Sequence, residues 1–184
     1  MTTDMHYQEI ISEYYPAGSP LRDIYIYMRH CRSVADLALD IARRHNLSLD
    51  PDAIEEAAML HDIGIFRTDA PSIHCHGTEP YLAHGVIGAS LLRQLGVDET
   101  VARVAERHTG AGITREDIQA QNLPLPPGDY LPETLLEKLI CYADKFYSKS
   151  GDMRRKPLDR VRASIARFGS DSLARFDTLH AIFS

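Results

Sequence analysis

Apolar positions recur with a period near 3.6 along almost the whole chain, the spacing of amphipathic helices. Residues 20–46 predict one long helix. Ser19 can cap it, Pro20 suits its first turn, and Ile26, Val34, Leu37, Ala38 and Ile41 form its apolar face. Asp50-Pro51 opens a second helix, which runs to His61-Asp62. The pattern breaks from Ile63 to Pro80, a loop-rich stretch. A third helix covers 81–95 and stops at Gly96; Asp98 caps a fourth, which ends near His108. Thr114 with Asp117 resembles a capping box and starts a short helix. Prolines keep the run from Leu123 to Pro132 out of regular helix. Pro132 opens a helix to 149, and two amphipathic helices, 157–168 and 171–183, follow a polar segment. No strand or internal repeat emerges. The expected fold class is therefore all-α: a single domain over 1–184, with its core over 20–150, helical extensions at both ends and C-terminal helices over 157–183.

Composition narrows the function classes. A chain of 184 residues with 44% hydrophobic and 25% charged residues is long enough for a sizeable core without disulfides. Its net charge of −6 argues against holding duplex nucleic acid by phosphate contacts, but leaves room for a small phosphorylated ligand in a local basic pocket. The three cysteines, Cys31, Cys75 and Cys141, are odd in number and lack CxxC spacing, which points to free thiols in a reducing compartment. The N-terminal residues show no basic-then-apolar pattern of a signal peptide, and no apolar run approaches the ~18 residues of a membrane span. A cytoplasmic location, with no membrane partner, is expected.

The apolar faces are interrupted in a telling way. His30 shares its side with Val34, Leu37 and Ile41. His61-Asp62 ends the alanine-rich run Ala57-Ala58-Met59-Leu60. His84 aligns with Ile87, Leu91 and Leu95; His108 follows Val101 and Val104; Asp144 follows Leu136 and Ile140. One histidine on an apolar face is more often a hydrogen-bonded core residue than a ligand. A carboxylate there is different, because it is rarely buried without a cation or strong donors. Several separate elements each sending His or Asp inward are hard to explain by packing, and a metal centre satisfies them together.

The ordered set resembles the HD-domain metal-dependent phosphohydrolase superfamily, and His61-Asp62-Ile63-Gly64 resembles its HDIG signature. The resemblance covers residues 25–150. It implies that His30, His61, Asp62 and Asp144 hold one metal ion, that His84 and His108 are the extra histidines of two-metal members, and that Asp62 bridges the ions as the catalytic carboxylate. The implied cofactor is a divalent transition metal, two ions of Fe, Mn, Co, Ni or Zn, and the implied reaction is attack of metal-activated water on a phosphate ester or anhydride, with a small nucleotide as substrate. The same superfamily also contains di-iron oxygenases with four His and two Asp, and a nucleotide-binding module without turnover is a further alternative.

A phosphate also needs cations from the protein. Arg67 follows the HDIG corner and Lys145 follows Asp144; Tyr147 and Ser148 are expected on Asp144's face of the helix, with Lys149 one step further. Together these are the expected substrate-binding residues. Glu55, Glu56 and Glu106 are available to orient the imidazoles. His74-Cys75-His76 lies in a loop near the ligands, but adjacent residues in extended chain point different ways. His6, His45 and His180 read as solvated, and Tyr14, Tyr15, Tyr25 and Tyr27 as core and rim aromatics. Gly110 to Pro132 reads as a flap over the pocket. Leftover amphipathicity of the terminal helices points to a homodimer.

Overall fold

The computed structural model describes residues 6–23 and 26–184. Residues 1–5, where the absence of a signal peptide was read, and Tyr25 lie outside the described residues. Helices α1 (Tyr7–Tyr14), α2 (Pro20–Asp23), α3 (Ile26–Arg44) and α4 (Pro51–Leu60) lead to a 3₁₀ turn over Ile63–Arg67. After a small hairpin come α5 (His84–Gln94), α6 (Glu99–Arg107), α7 (Arg115–Gln121), α8 (Leu135–Asp144), α9 (Leu158–Ala166) and α10 (Ser170–Phe183). The fold is all-α, as the periodicity predicts. The expected 20–46 helix is seen as α2 and α3, with residues 24 and 25 outside the described set.

Local chemistry accounts for most boundaries. Asp50 and Asp98 cap α4 and α6 by accepting the backbone N–H two residues on. Thr114 and Asp117 form the expected capping box on α7. Two expectations need correcting. The loop-rich stretch contains a two-stranded antiparallel hairpin, β1 (Asp69–Ala70) and β2 (Cys75–His76), pairing Asp69 with His76 and Ala70 with Cys75. Strands of two residues are too short to show an alternation in sequence. The second correction concerns α8, which starts at Leu135, not Pro132, and stops at Asp144, not 149. Its start is set by a second capping box, Thr134 with Glu137.

The core forms two clusters. One joins Val34, Leu37 and Ile41 of α3 to Ile54 of α4, Leu139 and Ile140 of α8, and Phe176, Leu179 and Phe183 of α10. The other joins Ile10 and Tyr15 to Tyr27, Met59, Leu60, Ile63, Leu92 and Val101. Phe176, Leu179 and Phe183 of α10 are thus buried within the chain itself, while Ile182 stays exposed. His180, expected in solvent, is half-buried, and its Nδ1 lies 2.9 Å from the Tyr142 hydroxyl. All three cysteines are free and buried. Among the described residues no helix is long and apolar enough to cross a membrane.

On α3 and α4, membership changes from one cluster to the other around His30 and just before His61. Polar ligands therefore sit at the seam, where neither cluster has to absorb them fully. Gly64 lets this seam close. A Cβ there would lie 2.3 Å from the His84 carbonyl oxygen and 2.5 Å from Gly88 N, so only glycine lets the 3₁₀ turn rest on α5. Gly85 does the same between α5 and α6, where a Cβ would meet the Ala105 carbonyl oxygen at 2.6 Å.

Candidate metal centre

His30 comes from the buried side of α3, and His61 and Asp62 follow the last turn of α4. His84 starts α5, His108 ends α6, and Asp144 ends α8. All six side chains are buried. They converge in two groups that share Asp62: His30, His61, Asp62 and Asp144, and Asp62, His84 and His108, with ligand atoms within 4.8 Å of one another in each.

The two oxygens of Asp62 face different partners. Oδ2 lies 3.2 Å from both His30 Nε2 and His61 Nε2. Oδ1 lies 3.4 Å from His84 Nε2 and 3.3 Å from His108 Nε2. Asp144 Oδ1 completes the first group, 2.9 Å from His30 Nε2 and 3.3 Å from His61 Nε2.

Backbone carbonyls, and neither Glu55 nor Glu106, orient the imidazoles of His61, His84 and His108. His61 Nδ1 lies 2.6 Å from the Ala58 carbonyl oxygen, His84 Nδ1 2.6 Å from that of Tyr81, and His108 Nδ1 2.7 Å from that of Ala105. Each acceptor is three residues back; those of Ala58 and Ala105 lie in the last turn of α4 and α6, where carbonyls lack a helical donor, and that of Tyr81 also accepts from the His84 backbone N–H. A proton on Nδ1 satisfies that carbonyl and leaves the Nε2 lone pair for a ligand. Glu55 instead accepts from Tyr7 and Arg32, and Glu106 from Arg93.

This tautomer makes the donor set fit a cation. His84 Nε2 and His108 Nε2 lie 2.9 Å apart, with both Nδ1 atoms already engaged. Neither His61 Nε2 nor Asp62 Oδ1 has a hydrogen-bond partner, although both are buried. Acceptors packed face to face in a dry interior are costly unless positive charge lies between them. Burial and the neighbouring His108 push His84 down to about 3, so it is a neutral imidazole. Burial also works against ionised Asp62, but His61 and Lys149 outweigh it and hold the carboxyl well below its usual range. Burial likewise opposes charge on Asp144, and Lys145 with the His30 contact reverses it.

A cleft of about 520 Å³ opens onto His84, His108 and Asp144. Four of the five expected substrate-binding residues, Lys145, Tyr147, Ser148 and Lys149, line it. Tyr147 and Ser148 reach it from irregular chain beyond the end of α8, not from a continued helical face. Lys149 Nζ lies 2.7 Å from Asp62 Oδ2, and Lys145 Nζ bridges Asp144 Oδ2 at 2.6 Å and the His108 carbonyl at 2.8 Å. Arg67 is not in the cleft lining; it is exposed, with its guanidinium 5.6 Å from the centre of the Phe66 ring. His74 and His76 are exposed, Cys75 within the hairpin is buried, and none of the three is in either ligand group. From the expected flap, Gly110 reaches the cleft, while Ile113, Gln121 and Leu123 line a smaller adjoining chamber. Lys156, Tyr81 and Phe168 also line the cleft; residue spacing gives no sign of it, because they come from irregular segments or element ends.

Comparison with known proteins agrees with this geometry. The HD domain family matches residues 27–148. An uncharacterized protein of Methanocaldococcus jannaschii is 44% identical over 120 residues, covering 64% of this chain and 63% of its own. A tRNA (cytidine(56)-2'-O)-methyltransferase of Thermoplasma volcanium is 37% identical over 158 residues, covering 85% of this chain and 41% of its own. The protein of that name from Picrophilus torridus is 35% identical over 133 residues, 72% of this chain and 35% of its own. The chain thus spans less than two thirds of the length of each of these relatives. No solved structure matches.

Proposed function

The chain belongs to the HD-domain family, and from that premise we propose that it is a metal-dependent phosphohydrolase. Its substrate is a small phosphate ester or anhydride, with nucleotides the expected class. The observation that carries this reading is the division of Asp62, one oxygen toward His30 and His61, the other toward His84 and His108. His30, His61, Asp62 and Asp144 would hold one divalent ion, and Asp62, His84 and His108 a second. A set of imidazole nitrogens and carboxylate oxygens favours Fe, Mn, Co, Ni or Zn over ions that prefer oxygen alone. Such ions lower the pKa of water toward ~7 and take up negative charge on a phosphoryl group.

The protein's own groups do the rest. The carbonyls of Ala58, Tyr81 and Ala105 fix the ring orientations before substrate arrives, which is the preorganisation catalysis requires. Burial against ionised Asp62 leaves Lys149 well above the ordinary lysine value, because the carboxylate outweighs desolvation; Lys145 is raised in the same way by Asp144. Both ammonium groups therefore stay charged at the cleft wall, where a phosphate oxygen can take their remaining donors. These lysines, with Lys156, favour phosphate chemistry over the oxygenase alternative. The RNA substrate in the names of two relatives belongs to proteins of which this chain resembles less than half. The net charge of −6 and the size of the cleft favour a small molecule here.

The test is phosphate release from a panel of mononucleotides and dinucleotides by purified protein loaded with Mn²⁺ or Fe²⁺. Absence of turnover with every phosphorylated compound, in protein shown to contain metal, rejects the proposal.

A further inference from the structure

Part of the wall of the metal cleft is built by residues outside the HD match. Val161, Ser164 and Ile165 of α9 and Phe168 just beyond it face the same space as His84 and His108. Phe168 is 51% exposed and Tyr81 is 36% exposed, and these two are among the few large hydrophobic residues left so open. Both line this one cleft. Exposed aromatic area costs free energy in water, so two open rings beside one pocket mark a surface that is covered in use.

His84, His108 and Asp144 line the cleft together with Lys145 and Lys149, whose ammonium groups contact Asp144 and Asp62. Phe168, with Leu82, Thr109 and Gly110, lines both this cleft and an adjoining chamber of about 160 Å³. That chamber is lined by Leu82, Ile113, Leu123 and Phe168, together with the Gln121 carboxamide, the Asp117 carboxylate and the hydroxyls of Thr109 and Ser172. Gln121 Nε2 donates to the Phe168 carbonyl oxygen at 3.5 Å, so the carboxamide is tied to the backbone of the same residue. A mainly apolar slot with amide, hydroxyl and carboxylate groups on its wall suits a planar, uncharged heteroaromatic group that carries hydrogen-bonding edges.

We infer that the Phe168 chamber is a subsite for the base of a nucleotide whose phosphate occupies the metal end, and that Phe168 determines preference for a base-bearing substrate. This rests on the phosphohydrolase reading for the place of the phosphate, but not for the place of the base. Phe168 supplies the face on which the base stacks, Leu82 and Leu123 exclude water from its edges, and Gln121 offers one donor and one acceptor. The C-terminal extension is then the part of the chain that distinguishes a nucleotide from a plain sugar phosphate.

The sequence contains no tryptophan, so Phe168→Trp places a single fluorescent reporter in the chamber. The four common nucleoside 5′-monophosphates and ribose 5-phosphate are titrated against it. Quenching by at least one nucleotide and none by the sugar phosphate is expected. Calorimetry on Phe168→Ala should show nucleotide affinity weaker by about tenfold, the size of one lost stacking contact, with ribose 5-phosphate affinity unchanged. Quenching by both classes or by neither, or equal losses in Phe168→Ala, overturns the subsite. Base-dependent quenching without phosphate release from any compound keeps the subsite and removes the hydrolase reading. Equal turnover of nucleotide and sugar phosphate by the metal-loaded wild type does the reverse. Phe168 is exposed, so neither substitution threatens folding.

Discussion

The two halves of the centre differ in charge, although one carboxylate joins them. The first half, His30, His61, Asp62 and Asp144, contains two ionised carboxyl groups, and Lys145 and Lys149 touch both. The second half, His84 and His108, shares only Oδ1 of Asp62 and otherwise presents neutral imidazole. Their protonation follows. Burial alone would push His61 down, but Asp62 and its other neighbours hold it well above the usual histidine value, so without an ion His61 also carries a proton on Nε2, the proton that an ion held there would displace. Burial prevails at His108, which is lowered, and at His84. A pair of carboxylates attracts a divalent ion far more strongly than a pair of neutral rings in the same low-dielectric setting. On the two-ion reading proposed above, the first half would hold its ion more tightly than the second, and His84, His108 and Asp144 all line the cleft.

The comparison breaks most severely at the shared residue. Asp62→Asn keeps the shape but removes the charge that both halves use. Both ions should be lost, and phosphate release should fall by roughly a thousandfold or more, since water activation and charge neutralisation disappear together. Elemental analysis alongside the activity assay checks this, and retention of both ions in Asp62→Asn would show that the carboxylate is not shared. A narrower break is His84→Ala, which touches one half only. Bound metal should fall from about two ions per chain to about one, with the remaining ion held as tightly as before. Loss of both ions would mean that the halves are not separable, and loss of neither would mean that the second half holds no metal.

The halves were unequally legible in the sequence. His61-Asp62-Ile63-Gly64 is contiguous, and each residue has a separate physical task, including the glycine whose Cβ would collide with α5. His30, His84, His108 and Asp144 could be placed because helical spacing puts them on apolar faces. What orients the rings was not legible, because the acceptors are backbone carbonyls and every residue has one; the clue was the position of His61, His84 and His108 at element ends. Arg67 was misleading for a related reason. Proximity in sequence to Asp62 suggested the cleft, but the 3₁₀ turn carries Arg67 to the surface over Phe66. Phe168 was invisible because the C-terminal helices meet the metal end only through tertiary packing.

The smallest effect concerns how the first half is held in place. Asp144 ends α8, and the other end of that helix is fixed by Glu137, whose carboxylate accepts from the backbone N–H of Glu133 and from Nε of Arg103. Burial disfavours its charge, but these donors outweigh burial and hold the carboxyl below the ordinary glutamate value. A depressed carboxyl stabilises the fold above the unfolded-state pKa of about 4.3, and that contribution is lost as pH falls through the lower folded value. Glu137→Gln should therefore cost about 1–2 kcal/mol at neutral pH, where a charge-assisted bond is replaced by a neutral one. The gap from wild type should close below about pH 4, as the native glutamate protonates. Denaturant unfolding across this range measures both. A gap that stays constant down to low pH would mean that charge on Glu137 does not hold the helix, and that the Thr134 cap does so alone.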